Sequence, residues 1–147
     1  MSSNTTRQTQ SAIADASARD VVSAFKQNTA RVATVVETLL ERAERSAWMG
    51  AMIAIERSSA LQQAARCDAR DRSPTWGPLH GLPLVVKDNI DVAGMPTTSG
   101  SPVLAGHVPQ TSASAIQQLL NAGAVILGKT NLHELCFGIT SHNATYG

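Results

Sequence analysis

Aromatic side chains are scarce in this 147-residue chain, at 3% of the total, which removes the stacking platforms that hold single-stranded nucleic acid. An excess of one charge is missing too. Twelve basic residues stand against eleven acidic ones, so neither nucleic acid nor an anionic membrane surface is an expected partner. Cysteine occurs twice, as Cys67 and Cys136, far apart and outside any CxxC pair, which excludes a disulfide framework and a cysteine-built zinc site. Long apolar runs are absent. Stretches such as Ala124 to Leu127 fall far below the roughly 20 residues that cross a bilayer, and no membrane association is expected. The start lacks the apolar centre of a signal peptide, and Asp15 and Asp20 count against a transit peptide. Cytoplasm is therefore the expected location, and the sequons at Asn4 and Asn143 carry no meaning there.

What remains is ordinary material for one domain, with 43% hydrophobic residues and enough length to bury a core without a staple or a metal. Residues 1–12 are polar and aperiodic and are expected to be a disordered tail. A first helix is expected from about Ser17, with Val21, Val22 and Phe25 on one side. Thr29 is the expected cap of a second helix, whose apolar residues Val32, Val35, Val36, Leu39, Leu40, Ala43 and Ala47 recur at helical spacing. On its outer face Glu41 and Arg45 are placed to pair. Ala51 to Ile55 reads as a strand, and a third helix follows from a Ser58 or Ser59 cap to about Arg70. Prolines and glycine break the segment from Asp71 to Pro78. Beyond it, an apolar strand lies within Gly81 to Asn89, a Gly/Pro-rich loop follows, and Ser112 to Asn121 reads as a helix. Ala124 to Leu127 reads as a second buried strand, and Asn131 as the cap of a short helix through Leu135. Helices alternating with short buried strands define an α/β class.

Several motif matches fail on context. Gly123 to Thr130, GAVILGKT, fits the Walker A pattern, but its four middle residues are aliphatic and belong to the strand, so no phosphate-binding loop is left. Ser23 to Lys26 fits SxxK without the partner motifs of penicillin-recognising enzymes. His133 and Glu134 begin an H-E-x-x-H, but position 137 is Phe. His80, His107 and His142 lack metal-ligand spacing and read as loop or surface residues, so no metal site is expected.

Lys87 carries more chemistry. It ends an apolar strand, where a sheet hands side chains to a cleft. Partial desolvation there would disfavour its charged form, and a neutral amine can take a proton from a serine hydroxyl. The plain alternative is a strand-end lysine that snorkels to water.

Residues 77–90, GPLHGLPLVVKDNI, resemble the segment around the catalytic lysine of amidase signature enzymes. The similarity continues through 94–101, GMPTTSGS, resumes in 121–135, NAGAVILGKTNLHEL, and includes 137–143, FGITSHN. One departure is Ser112 before Ala113, where the family pattern has an acidic residue; serine caps a helix equally well. The resemblance implies that residues 13–147 form the N-terminal part of a single amidase domain. It also implies that N-terminal helices pack on an incomplete part of the family's mixed sheet, with strands near Leu82 and Ala124 short of neighbours. It implies Ser-Ser-Lys chemistry on a small-molecule amide, with Lys87 as base and no cofactor. The two serines and the oxyanion amides belong to a Gly/Ser-rich segment beyond the Gly-Ile-Thr-Ser block. This chain is therefore expected to hold one catalytic group of three and to be inactive alone. Gly138, Ile139, Thr140 and Ser141 are implied to line the acyl site, with Ser141 alternatively a turn hydroxyl. The ending is similar to indoleacetamide and mandelamide hydrolases. The family also contains the A-type subunits of aminoacyl-tRNA amidotransferases, and a homodimer is a candidate assembly of the full-length enzyme. A truncated, non-catalytic product is the other reading.

Overall fold

Polar and apolar residues at Ser17 to Lys26 alternate as a helix requires, and in the computed structural model, which describes residues 12–69 and 76–147, helix α1 spans Ala18–Lys26. Ser17 caps it, its hydroxyl accepting from Asp20 N at 3.3 Å, and Val21, Val22 and Phe25 are buried as expected. The expected tail lies outside the described residues except for Ala12, whose carbonyl accepts from Asp15 N in a helical turn.

Helix α2 spans Val32–Arg45, but Thr29 does not start it. The Thr29 amide and hydroxyl both donate to Ala24 O, so this residue closes α1 instead. The cap of α2 comes from a distant residue: the Asp68 carboxylate accepts from Val32 N at 2.9 Å and from Ala33 N at 3.1 Å. Val35, Val36 and Leu40 are fully buried, each worth about 1.5–3 kcal/mol of transfer free energy. Arg45 and Glu41 pair at 3.5 Å on the exposed face. Arg45 ends the helix, and Ala47 falls in a 3-10 turn, Ala47–Met49.

Strand β1 is Met52–Ile55 and helix α3 is Arg57–Asp68, starting before the two serines and with no side-chain cap at its N-terminus. Its expected end near Arg70, and most of the Pro/Gly break, lie outside the described residues. Strand β2 is Pro83–Lys87, helix α4 is Ser114–Asn121, and strand β3 is Val125–Thr130. Ser112 stands ahead of α4, its hydroxyl accepting from Ala93 N at 2.9 Å. Asn131 begins no α-helix. Only a 3-10 turn forms, Glu134–Cys136, because Leu135 N donates to Ser99 O and Leu135 adopts φ 52. The Asn131 side chain instead donates to Gly50 O and Gly147 O, both at 2.8 Å.

The sheet is mixed, in the order β1-β3-β2, with β1 antiparallel and β2 parallel to β3. The α/β expectation therefore holds, but β3 is central rather than short of neighbours, since both its edges are paired. Strand β2 is paired on one side only among the described residues. Gly128 is required where β1 and β3 meet, because a Cβ there would collide with the Ala54 carbonyl. One core packs α1, α2 and α3 against Leu82, Val125 and Leu127, while the other face holds Val86, Val92, Met95, Ile116 and Ile126. The sheet is thus covered by helices on both faces.

Candidate active site

Side chains of β2 alternate between the two faces, and the alternation continues into Asp88. Val86 and Asp88 are buried, whereas Val85 and Lys87 are exposed. The expected desolvation of Lys87 is not found. Its strand places it on Val85's face, its side chain is exposed, and its amine has no hydrogen bond or ion pair among the described residues.

The buried side of the same strand end holds charges that sequence reasoning missed. In the β2–β3 register Leu84 pairs Ile126 but Val85 pairs Gly128, so Leu127 is a bulge. That extra residue turns Lys129 onto the face of Val86 and Asp88. Lys129 is fully buried. Its ammonium donates to Thr97 Oγ1 at 2.9 Å and to Pro96 O at 3.2 Å, and lies 3.0 Å from Asp88 Oδ1. The approach to Oδ1 is an ion pair without the alignment of a hydrogen bond. Asp88 Oδ2 accepts from Thr98 N at 3.0 Å and from the Thr98 hydroxyl. The Asp88 backbone is held as well, donating to Thr130 O at 3.1 Å and accepting from Ser99 N at 3.0 Å. The signal was adjacency: an acid directly after Lys87 in Lys-Asp-Asn, and a lysine inside an apolar strand that the failed Walker match obscured.

Gly138, Ile139, Thr140 and Ser141 all lie on an exposed loop. Gly138 passes against the His133 ring, where a Cβ would clash, and Thr140 Oγ1 lies 3.5 Å from His133 Nδ1. Ser141 adopts φ 58, and with Thr140, Asn131 and Gly50 it lines a cavity of about 490 Å³. No hydrogen bond joins this loop to Lys87 among the described residues. The two regions connect through Ser99, whose amide donates to Asp88 O and whose carbonyl accepts from Leu135 N at 2.8 Å. Asn143 anchors the far side of the loop and is buried, so its sequon is sterically closed in the folded chain.

His80 is not a surface residue: it is 1% exposed and stacks on Trp76, ring centroids 4.1 Å apart. Gly123 approaches its backbone, so the loop before β2 packs inward and takes the ring with it. His107 and His142 are exposed. No group of three or more metal-ligating side chains comes together among the described residues. Nor is any described helix long and apolar enough to cross a membrane.

Lys87 thus ends a strand parallel to β3, beside the buried Asp88–Lys129 pair. A model of the Amidase family matches residues 34–147, and the chain belongs to that family. It is 40% identical over 126 residues to the A-type subunit of a glutamyl-tRNA(Gln) amidotransferase from Methanosarcina acetivorans, covering 79% of this chain and 26% of that protein. It is also 40% identical over 116 residues to a mandelamide hydrolase of Pseudomonas putida, covering 76% and 22% of the two chains. Among solved structures it resembles a peptide amidase from Stenotrophomonas maltophilia, with TM-score 0.73 and 37% identity, over 80% of this chain and 25% of that one. The chain therefore spans about a quarter of the length of the relatives it matches.

Proposed function

We propose that this chain is the lysine-bearing part of a hydrolase of carboxylic amide C–N bonds, with Lys87 as the general base of a Ser-Ser-Lys system. The observation that carries the reading is the contrast at one strand end. The Lys129 ammonium is locked to Asp88, while the Lys87 amine has no ionic or hydrogen-bonded partner among the described residues. An ammonium held by a buried carboxylate cannot accept a proton, so of the two lysines only Lys87 is available as a base.

In its deprotonated form the Lys87 amine takes a proton from a bridging serine, which takes one from the nucleophilic serine. The serine oxygen bonds the amide carbonyl carbon, the C–N bond breaks, and the leaving amine receives the proton. Water then cleaves the acyl-enzyme ester. Both serines are assigned to a segment outside this chain's residues, so the chain by itself supplies one group of three and no turnover. The substrate is a small-molecule amide with Gly138 to Ser141 against its acyl part, the enzyme acts in the cytoplasm, and the complete enzyme is a candidate homodimer. The likeness to a mandelamide hydrolase supports an aryl-acetamide-type acyl group. A second reading, the A-type chain of an amidotransferase, is supported by the equal identity to the Methanosarcina protein.

The test is Lys87→Ala in a protein supplied with the serine segment. Turnover is expected to fall by roughly 10³-fold or more, with unchanged melting because the side chain is exposed and makes no bond among the described residues. Wild-type turnover removes the assignment. Release of ammonia from glutamine, without hydrolysis of arylacetamides, favours the amidotransferase reading over the hydrolase. A third reading, a truncated non-catalytic product, is separated by sequencing the gene beyond Gly147, where an in-frame Gly/Ser-rich stretch favours the hydrolase and a stop codon favours truncation.

A further inference from the structure

A base must be both held in place and kept free of a counter-ion, and at Lys87 these requirements fall on the residue that follows it. Asp88 is anchored to two separate segments, the loop at Thr98 and Ser99 and the end of β3 at Lys129 and Thr130. Its carboxylate takes Thr98 N, the Thr98 hydroxyl and the Lys129 ammonium; its backbone takes Thr130 O and Ser99 N. None of these bonds involves the Lys87 side chain. Across the strand pair, the Cα partner of Lys87 is Thr130, which is not ionisable. Val85, on the face of Lys87, lines an apolar groove whose cation, Arg42, is already paired to Asp15 at 2.6 Å.

We propose that the buried Asp88–Lys129 pair is the positioning device for Lys87. It clamps the strand end that carries the base and neutralises the carboxylate next to it in sequence, so that the buried side of the strand end presents a compensated pair to the amine. The Asp91 carboxylate, nearby in sequence, lies 3.7 Å from His107. The bulge at Leu127 is what makes this possible, since with regular alternation Lys129 would lie on the opposite face from Ile126 and Asp88. The role rests on the proposed reading of Lys87 as base. Lys129 and Asp88 are positioning residues and need touch no substrate.

The experiment uses the small number of lysines in the chain, Lys26, Lys87 and Lys129. Reductive methylation with ¹³C-formaldehyde labels the exposed amines and spares buried Lys129, and Lys26→Arg identifies the Lys87 signal. Its titration midpoint is then followed by NMR in four proteins. Lys129→Met leaves the Asp88 carboxylate uncompensated and raises the midpoint. Asp88→Asn leaves the Lys129 ammonium uncompensated and lowers it. Each shift is roughly 0.4 pH unit, the size expected for one unit charge acting across a strand through a water-like dielectric. The double variant Asp88→Asn with Lys129→Met returns the midpoint to wild type. In that double variant, which carries no buried charge, amide exchange at residues 88 and 99 accelerates about tenfold against that of Ile126, because the clamp is weakened. Shifts of equal sign in the two single variants overturn the proposal, as does unchanged exchange at both residues in the double variant. If a single variant fails to fold, the exchange result in the double variant decides. Turnover is not read, so same-sign shifts sink the positioning role alone, and an active Lys87→Ala enzyme sinks the base assignment alone.

Discussion

Asn143 offers the sharpest test of how the proposed acyl-site loop is held. Its side-chain NH₂ donates to Gly100 O at 2.7 Å and Leu132 O at 3.0 Å, and its Oδ1 accepts from Thr145 N at 2.8 Å and Tyr146 N at 3.0 Å. Both donors and both acceptor positions of the amide are thereby used, in a residue only 3% exposed. Asn143→Ala removes all four bonds. At about 1 kcal/mol net each, less what water recovers at the half-buried Thr145 and Tyr146 amides, the loss is about 2–4 kcal/mol. Asn143→Asp is more informative. It keeps the acceptor for Thr145 and Tyr146 but turns a carboxylate oxygen toward two carbonyl oxygens. At neutral pH it is therefore expected to be no better than alanine, and to recover at acid pH, where the protonated carboxyl can donate again. The assay is urea unfolding at constant m, with amide exchange at residues 145 and 146 to detect local release of the loop. An alanine variant within about 0.5 kcal/mol of wild type, or an aspartate variant more stable than alanine at pH 7, refutes the reasoning.

Asp68→Ala should cost about 1 kcal/mol, since it removes the side-chain cap on α2, while Asp68→Asn should lose less; a silent alanine variant in denaturant unfolding would contradict the capping. Asp15 should titrate below its ordinary value of 3.8, chiefly through its hydrogen bond from Arg42 and then through that residue's charge. Because the folded value is the lower one, the pair's stabilisation is fully present above pH 3.8 and is lost as pH falls through the folded value. Carboxyl NMR should show the depressed midpoint return upward in Arg42→Ala, and an unchanged midpoint there would rule out the pair as its cause.

The helices and strands were largely legible because burial writes a period into the chain. The recurrence of Val32, Val35, Val36 and Leu40 identifies α2 and its inner face without reference to anything else. The ends were less legible, because hydrogen bonds there come from residues distant in sequence. Nothing local to Thr29 reveals that Asp68 performs the capping, or that Asn131 reaches back to Gly50. The candidate site divided in the same way. Lys87 was found from its position at the end of an apolar run and from the family resemblance; of the two readings of its surroundings the structure has the exposed one, and the inward packing of His80 was not foreseen.

The amino-acid order alone determined the family and the strand that carries Lys87, since these depend on residue identity and short-range spacing. The pairing of Lys129 with Asp88 was decided only by tertiary structure. Which face a strand residue occupies is set by its register with its neighbour, and the single bulged residue at Leu127 reverses that choice for everything beyond it. A lysine that local pattern would send to the other face is thereby buried against the Asp88 carboxylate.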